Sequence, residues 1–415
     1  MAGKRFIVIG MGDGSRQSFL KEEAMEVISH SKVFSGGRRH HDIVKDLLPD
    51  GHEWIDITIP LDNVFEKYDS PRYDGTQIVV FASGDPLFFG FAGTLRRRNP
   101  ESEIRIIPWF SSIQMLAHKM VIPMDGIRVV SLTGRPWHEF DKALIEGSGL
   151  IGVLTDKEHS PKNIARRMAY YGYDTYNIYI GEHLGSENKE KVSVMGVKEA
   201  MDYDAESPNC VIISGKPRER IFGIEDETLR HLEGRANMIT KMPIRLITLQ
   251  ALELYDHDML IDIGFCTGSV SIEAKLQFPS LCVLAVERRE ECRSIMEANC
   301  RKMGALGIDF RISDIEAFDL GQTDNIYRET TKREKPRKSF FIGGHGGRLS
   351  AIMGKIKKEM RKGDIMVINS VTEESKRTFE QEARNLGLSL SAPQRIVLDD
   401  HNPITILKAR EDGRK

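Results

Sequence analysis

Apolar residues along this chain come in short runs that stop at glycine or serine, each followed by a longer stretch with helical spacing. Phe6-Ile7-Val8-Ile9-Gly10 has the pattern of a buried strand closed by a glycine turn. Across residues 18–31 the spacing predicts a helix, with Phe19, Leu20, Ala24, Val27 and Ile28 on one side. Further strands are expected at 78–82, 104–107, 129–132, 151–155, 176–180 and 210–214. A helix over 163–171 follows the start signal Ser160-Pro161. Strand alternating with helix implies an α/β fold class.

Near 215–237 the pattern lapses into a charged stretch without a sustained apolar period, and the domain boundary is placed there: 1–217 and 225–415. A second α/β series then begins. Helices are expected at 244–254, 269–277, 289–303 and 348–361, and strands at 259–263, 282–287, 308–312, 339–343 and 364–369. Residues 321–338, rich in charge, read as a solvated loop. No internal repeat relates the halves, so two different folds are expected.

The length of 415 residues exceeds one ordinary core, which agrees with two domains. Lys+Arg 59 against Asp+Glu 61 gives a formal charge of −2, with no global attraction to nucleic acid or an anionic membrane. The first five residues lead straight into a strand and do not form a secretory signal, and no apolar run has the length of a membrane span. Five cysteines (Cys210, Cys266, Cys282, Cys292 and Cys300) include no CxxC pair. That argues against a disulfide framework or a zinc site and for a reducing cytoplasm. No metal ligands are expected: Arg38-Arg39-His40-His41 reads as a solvated helix start, and Asp399-Asp400-His401 lacks a further ligand at useful spacing.

Two stretches carry candidate chemistry. Residues 259–274 are a strand, a glycine turn and a helix start, the place where doubly wound sheets bind ligands. Glu287 ends the next strand, 25 residues after Asp262, where a carboxylate can accept both ribose hydroxyls of an adenosine-type ligand. The third strand leads to Ser313-Asp314-Ile315, suited to flanking an adenine. The turn Gly264-Phe265-Cys266-Thr267-Gly268 lacks the G-x-G-x-x-G spacing of a dinucleotide binder. Asp262 beside it disfavours a phosphate and favours a sulfonium or an amino group, so S-adenosylmethionine fits better than NAD. In the first half, Ile78–Phe81 stops at Ser83-Gly84-Asp85-Pro86 and resumes at once with Leu87-Phe88-Phe89. A solvent-facing turn has no need of that bulk; a turn lining a pocket for a partly apolar, partly cationic ligand does. Asp13, in "GMGDGS", likewise disfavours a phosphate.

The motifs "ITKMPIRLITLQAL", "DIGFCTGSVSIEA", "AVERREE", "FIGGHGGRL" and "INSVTEES", over residues 225–385, resemble the C15-methylating and decarboxylating family of corrin biosynthesis. Its opening Thr-Lys-x-Glu-Val-Arg is kept at Thr240, Lys241 and Arg245, with Pro243 and Ile244 departing; Cys266 stands where that family's turn has glycine. The resemblance implies cofactor contacts at Thr240, Gly264, Phe265, Cys266, Thr267, Gly268, Glu287 and Ile315, and substrate-side roles for Lys241, Arg245 and His345. The glycine pairs around His345 allow a flat macrocycle to approach the backbone, with helix N–H groups open to a carboxylate.

"SGDPLFFG", "WFSSIQMLA", "VVSLTGRP", "VLTDKEHSPKNIA", "GEHLGSENKE" and "PNCVIIS", over 5–215, resemble the tetrapyrrole methyltransferase family, nearest its C5-methylating corrin branch. That implies a two-lobed fold holding S-adenosylmethionine, with contacts at Asp85, Pro86, Phe88, Ser112, Ile113, Leu154, Glu182 and Asn209. Arg135 is expected to pair with substrate carboxylates.

Together these imply a fused enzyme: a two-lobed tetrapyrrole methyltransferase fold followed by a Rossmann-like S-adenosylmethionine-dependent one. It is expected to methylate C5 and C15 of a reduced corrin precursor and to remove the C12 acetate carboxyl. It is expected to be a cytoplasmic homo-oligomer with a tetrapyrrole substrate and no nucleic-acid or membrane partner. The alternatives are another tetrapyrrole substrate, a second domain that only binds the intermediate, and a nicotinamide dehydrogenase.

Overall fold

The computed structural model describes residues 4–12, 22–235, 238–398 and 402–413. Phe19, Leu20, Asp13 and the Asp399-Asp400-His401 run lie outside them. The chain separates into two compact units. One comprises 1–133, 150–165 and 177–215; the other comprises 134–149, 166–176 and 216–415.

The first unit carries two five-stranded sheets. β1 (Arg5–Met11), β2 (Val33–Gly36), β3 (Glu53–Asp56), β4 (Gln77–Ser83) and β5 (Glu103–Ile107) are ordered β3-β2-β4-β1-β5. Every pairing in this sheet is parallel, and β1 and β4 are almost wholly buried, as expected of strands covered on both faces. β6 (Arg128–Ser131), β7 (Leu150–Leu154), β8 (Tyr176–Glu182), β9 (Lys191–Gly196) and β10 (Asn209–Gly215) follow the order β6-β7-β10-β8-β9. Here β6 and β7 are parallel, while β10 runs antiparallel to β7 and β8 to β9.

The second unit is Rossmann-like. Its strands are β11 (Met259–Ile263), β12 (Cys282–Glu287), β13 (Ile308–Ile312), β14 (Lys338–Ile342), β15 (Ile365–Ser370), β16 (Ser389–Leu390), β17 (Gln394–Ile396) and β18 (Ile404–Arg410). The order is β13-β12-β11-β14-β15-β18-β16, with β17 also on β18. The first five are parallel and β18 is antiparallel. Strand order reverses between β11 and β14, which opens a crevice at their carboxyl ends.

The two series of α/β elements stand as read from the pattern, with shifts of a few residues at the ends. The stretch 321–338 differs. It contains a helix, Thr323–Thr331, in which Tyr327 is buried and Ile326 packs beside it on the core holding Leu320. Lys338 is almost fully buried and reaches Asp324 at 2.7 Å, so part of the charge there is internal. The segment 215–235 is also anchored: Ile224, Leu229 and Leu232 share a core cluster with Phe265, Ile272 and Met296. Among the described residues, no helix is long and apolar enough to cross a membrane, and no cluster of three or more His, Cys, Asp or Glu is placed to hold a metal ion.

Candidate functional sites

In the first unit, β4 ends at Ser83 and the chain turns sharply back. Gly84 has φ +62°, and a Cβ there would lie 3.3 Å from Phe110 O and from Ser111 Cα. Gly90 is tighter, since a Cβ would stand 2.4 Å from Pro86 O. These glycines let the 84–90 loop fold on itself and approach 110–112. The Asp85 carboxylate accepts the Leu87 N–H at 2.9 Å, while Pro86 O takes the Ala92 N–H at 3.1 Å. Ser111 caps helix Ser112–Met120: its Oγ accepts Gln114 N–H at 3.2 Å and its own N–H donates to Gln114 Oε1.

This turn lines a cavity of about 530 Å³ in the first unit. Asp85, Phe88, Ser112, Leu154 and Asn209 all face it. Asn209 is fixed by Thr155, whose hydroxyl donates to Asn209 Oδ1 at 2.7 Å, and by its own bond to Glu206 O at 2.9 Å. Cys210 is a further lining residue, and burial pushes its thiol up to about 12 despite a bond with Ser112.

Four expected residues lie off the lining of this cavity. Pro86 shapes the turn but is not a lining residue. Ile113 is fully buried, packed with Leu116 and Ile212. Glu182 turns inward, accepting the Tyr203 hydroxyl at 2.5 Å and the Glu206 N–H at 2.6 Å. Arg135 is exposed and does not line the cavity; the guanidinium that does is Arg39. Arg39 and His40 come from the Arg-Arg-His-His run, which follows the Gly36-Gly37 turn.

In the second unit, Gly264 (φ +80°) closes β11, its N–H bonded to Val286 O at 2.7 Å. A Cβ there would lie 2.8 Å from Gly344 N. Cys266 also takes a left-handed conformation, φ +51°, which is the conformational reason for glycine at this point of the turn. Its thiol donates to Met238 O at 3.2 Å, and burial raises its pKa.

Glu287 sits at the tip of β12. Its Oε1 accepts the N–H groups of Arg288 and Arg289, and its Oε2 accepts the Cys266 N–H at 3.2 Å. The Arg289 fork lies on the same carboxylate, with Nη2 at 2.7 Å from Oε2. Burial pushes this carboxyl up, but the Arg289 guanidinium and the backbone N–H groups outweigh it and hold it low. Asp262 goes the other way. Burial raises it to about 7 against its bond from Ser271, and Glu287 adds to the rise. Its Oδ2 accepts the Ser271 hydroxyl at 2.6 Å; its Oδ1 has no hydrogen-bond partner among the described residues.

Gly264, Glu287, Ile315 and His345 surround a cavity of about 230 Å³ in this unit. His345 also borders a second cavity of about 350 Å³ with Ser375 and Thr378. Its Nδ1 accepts the Gly347 N–H at 3.2 Å, which places the hydrogen of the neutral ring on Nε2, 3.1 Å from Ser375 Oγ. Burial lowers the His345 pKa, with Glu374 opposing.

The remaining expected residues do other work. Phe265 is buried edge-on to Phe310, Thr267 is buried with its carbonyl held by Asn299, and Gly268 (φ +76°) starts a helix. With Cys266 and Thr240 they surround the turn without lining the cavity. Arg245, expected on the substrate side, is fully buried: it pairs with Glu273 and Asp226 and donates to Thr240 O and Ile224 O. Lys241 lies 3.8 Å from Asp226 and lines neither of these two cavities.

Each unit thus has a parallel-sheet crevice with a carboxylate at a strand end and a glycine corner, the arrangement of a small-molecule site in an α/β protein. Residues 5–200 match the tetrapyrrole (corrin/porphyrin) methylases, and 233–409 match the precorrin methyltransferase domain. A Sinorhizobium precorrin-6Y C(5,15)-methyltransferase [decarboxylating] is 28% identical over 92% of this chain and 88% of its own. Salmonella typhimurium cobalt-precorrin-7 C(5)-methyltransferase is 31% identical, covering 50% of this chain and 96% of its own. Cobalt-precorrin-6B C(15)-methyltransferase (decarboxylating) of the same organism is 32% identical over 35% of this chain and 68% of its own. The chain belongs to the precorrin methyltransferase family, with a tetrapyrrole methylase domain followed by a precorrin methyltransferase domain.

Proposed function

We propose that this enzyme methylates C5 and C15 of precorrin-6Y, or of its cobalt form, and removes the C12 acetate carboxyl, in corrin-ring biosynthesis. The observation that carries the reading is the presence in one chain of both matched domains, each with its own cavity at the carboxyl ends of parallel strands. We assign C5 methylation to 1–217 and C15 methylation with decarboxylation to 225–415.

The residues present suit S-adenosylmethionine. In the first cavity Asp85 supplies the one carboxylate among the described lining residues, beside apolar Phe88, Met115 and Leu154. In the second, Gly264 brings bare backbone to the cavity, and Glu287 is held ionised at its edge. Bound there, the cofactor supplies an activated methyl group as a sulfonium. The protein's part is placement, because fixing two reactants in line removes up to about 7–11 kcal/mol of barrier in favourable cases. Asp85 and Glu287 orient polar groups, and the apolar walls exclude water. His345 keeps an N–H on Nε2 at the boundary of two cavities, where it can hydrogen-bond a substrate acid group.

The buried cysteines and the charge of −2 support a cytoplasmic enzyme for a small-molecule substrate, without a nucleic-acid partner. We read it as a homo-oligomer on family resemblance. The test is incubation with the reduced precursor, with and without cobalt, followed by mass analysis. Gain of two methyl groups and loss of one carbon dioxide is expected; a single methyl would overturn the bifunctional reading.

A further inference from the structure

The hydroxyl of Ser83, at the end of β4, is a meeting point for two basic side chains. Arg39 donates from Nη2 to Ser83 Oγ at 2.7 Å, and His40 Nε2 lies 2.9 Å from the same oxygen. His40 Nδ1 accepts the Gly37 N–H at 3.2 Å, so the hydrogen of the neutral ring is on Nε2 and points at Ser83. With both lone pairs of Oγ engaged, the hydroxyl's own hydrogen is directed to a further acceptor. The close fit of the preceding turn fixes this arrangement: a Cβ on Gly36 would stand 3.1 Å from the Trp54 ring and from His40 Cβ.

Ser83, Arg39 and His40 all line the 530 Å³ cavity of the first unit. Among its described lining residues they bring the only basic groups, against the one carboxylate of Asp85. Ser83 and Arg39 are exposed and stand at the mouth, whereas Cys210 and Ser111 are buried at the floor. Around the same mouth, Phe89 and Phe110 are 46% and 50% exposed. An apolar rim with a guanidinium, an imidazole and a hydroxyl donor suits a flat apolar ring bearing carboxylate arms.

We propose that Arg39, supported by His40 and Ser83, is the carboxylate-recognition subsite for the tetrapyrrole in the C5-methylating half. This rests on the function proposed above. Asp85 then faces the cationic donor and Arg39 the anionic acceptor, so the signs of the lining charges match the two ligands. Arg39 fixes the acid arm by paired N–H donation, a geometry that lysine cannot reproduce in full.

The test uses the full chain and follows C5 and C15 methylation separately in Arg39→Ala and Arg39→Lys. For Arg39→Ala, KM for the tetrapyrrole in C5 methylation should rise tenfold or more, with a smaller change in kcat. Arg39→Lys should recover part of the loss, and S-adenosylhomocysteine affinity of the first half and C15 methylation should hold. A substrate with its acid arms converted to amides should show no further loss in Arg39→Ala over wild type. Unchanged KM, or loss of S-adenosylhomocysteine binding, overturns the subsite. A wild-type chain that methylates neither carbon overturns the parent reading instead.

Discussion

Arg245 Nε lies 3.1 Å from Glu273 Oε2, and neither side chain has any exposure to solvent. Glu273 also accepts the N–H groups of Gly223 and Ile224, at 3.0 and 2.9 Å. The pair therefore fastens the segment before Thr240 to the helices Met242–Ala251 and Ser269–Gln277. It is an architectural link within the second unit. A buried ion stripped of its partner is costly, so Arg245→Ala should destabilise this unit by roughly 3–5 kcal/mol. Chemical denaturation followed by a probe in the second unit measures this. Full stability with loss of C15 methylation alone would restore Arg245 to the substrate side.

Gly264 tests the cradle of the second site. Alanine there would force a Cβ to within 2.8 Å of Gly344 N, in a left-handed backbone conformation. Gly264→Ala should lower C15 methylation at least tenfold and leave C5 methylation near wild type. Equal loss of both would show that the two sites are not independent.

Arg289 competes with the ribose of a bound cofactor for the Glu287 carboxylate. Arg289→Ala should tighten S-adenosylhomocysteine binding to the second unit severalfold, whereas Glu287→Gln should weaken it. Calorimetric titration of each variant reads both effects. Weaker binding in Arg289→Ala would make the arginine part of the cofactor site.

Asp262 gives a pH signature. Burial raises its pKa from 3.8 to about 7, against the bond from Ser271 and aided by Glu287. Folding favours the protonated form, so its stabilising contribution is complete below about pH 4 and is lost as pH rises toward 7. Asp262→Asn should flatten this part of the stability profile, by an amount on the order of a few kcal/mol. An unchanged slope between pH 4 and 7 in the variant would place the titration elsewhere.

The sheet of the second unit was legible because β11, β12 and β14 are buried on every residue and read as mainly apolar runs. β3 was not, since Ile55 is its one buried position, and β9 has one buried residue in six. The helix Thr323–Thr331 hid behind charge because only Thr323 and Tyr327 are buried. The placement of Asp85 and Glu287 beside cavities was legible from acids at strand ends. That of Arg39 was not, because it depends on a turn that brings Arg38–Val44 beside β4. Arg245 was misread because a kept motif residue can serve packing as well as chemistry.

In the proposed function each half of the chain holds its own methyl donor. Equilibrium titration of the full chain with S-adenosylhomocysteine tests it directly. Two sites per chain are expected, one removed by Gly264→Ala and the other retained. A single site, unaffected by Gly264→Ala, would contradict it.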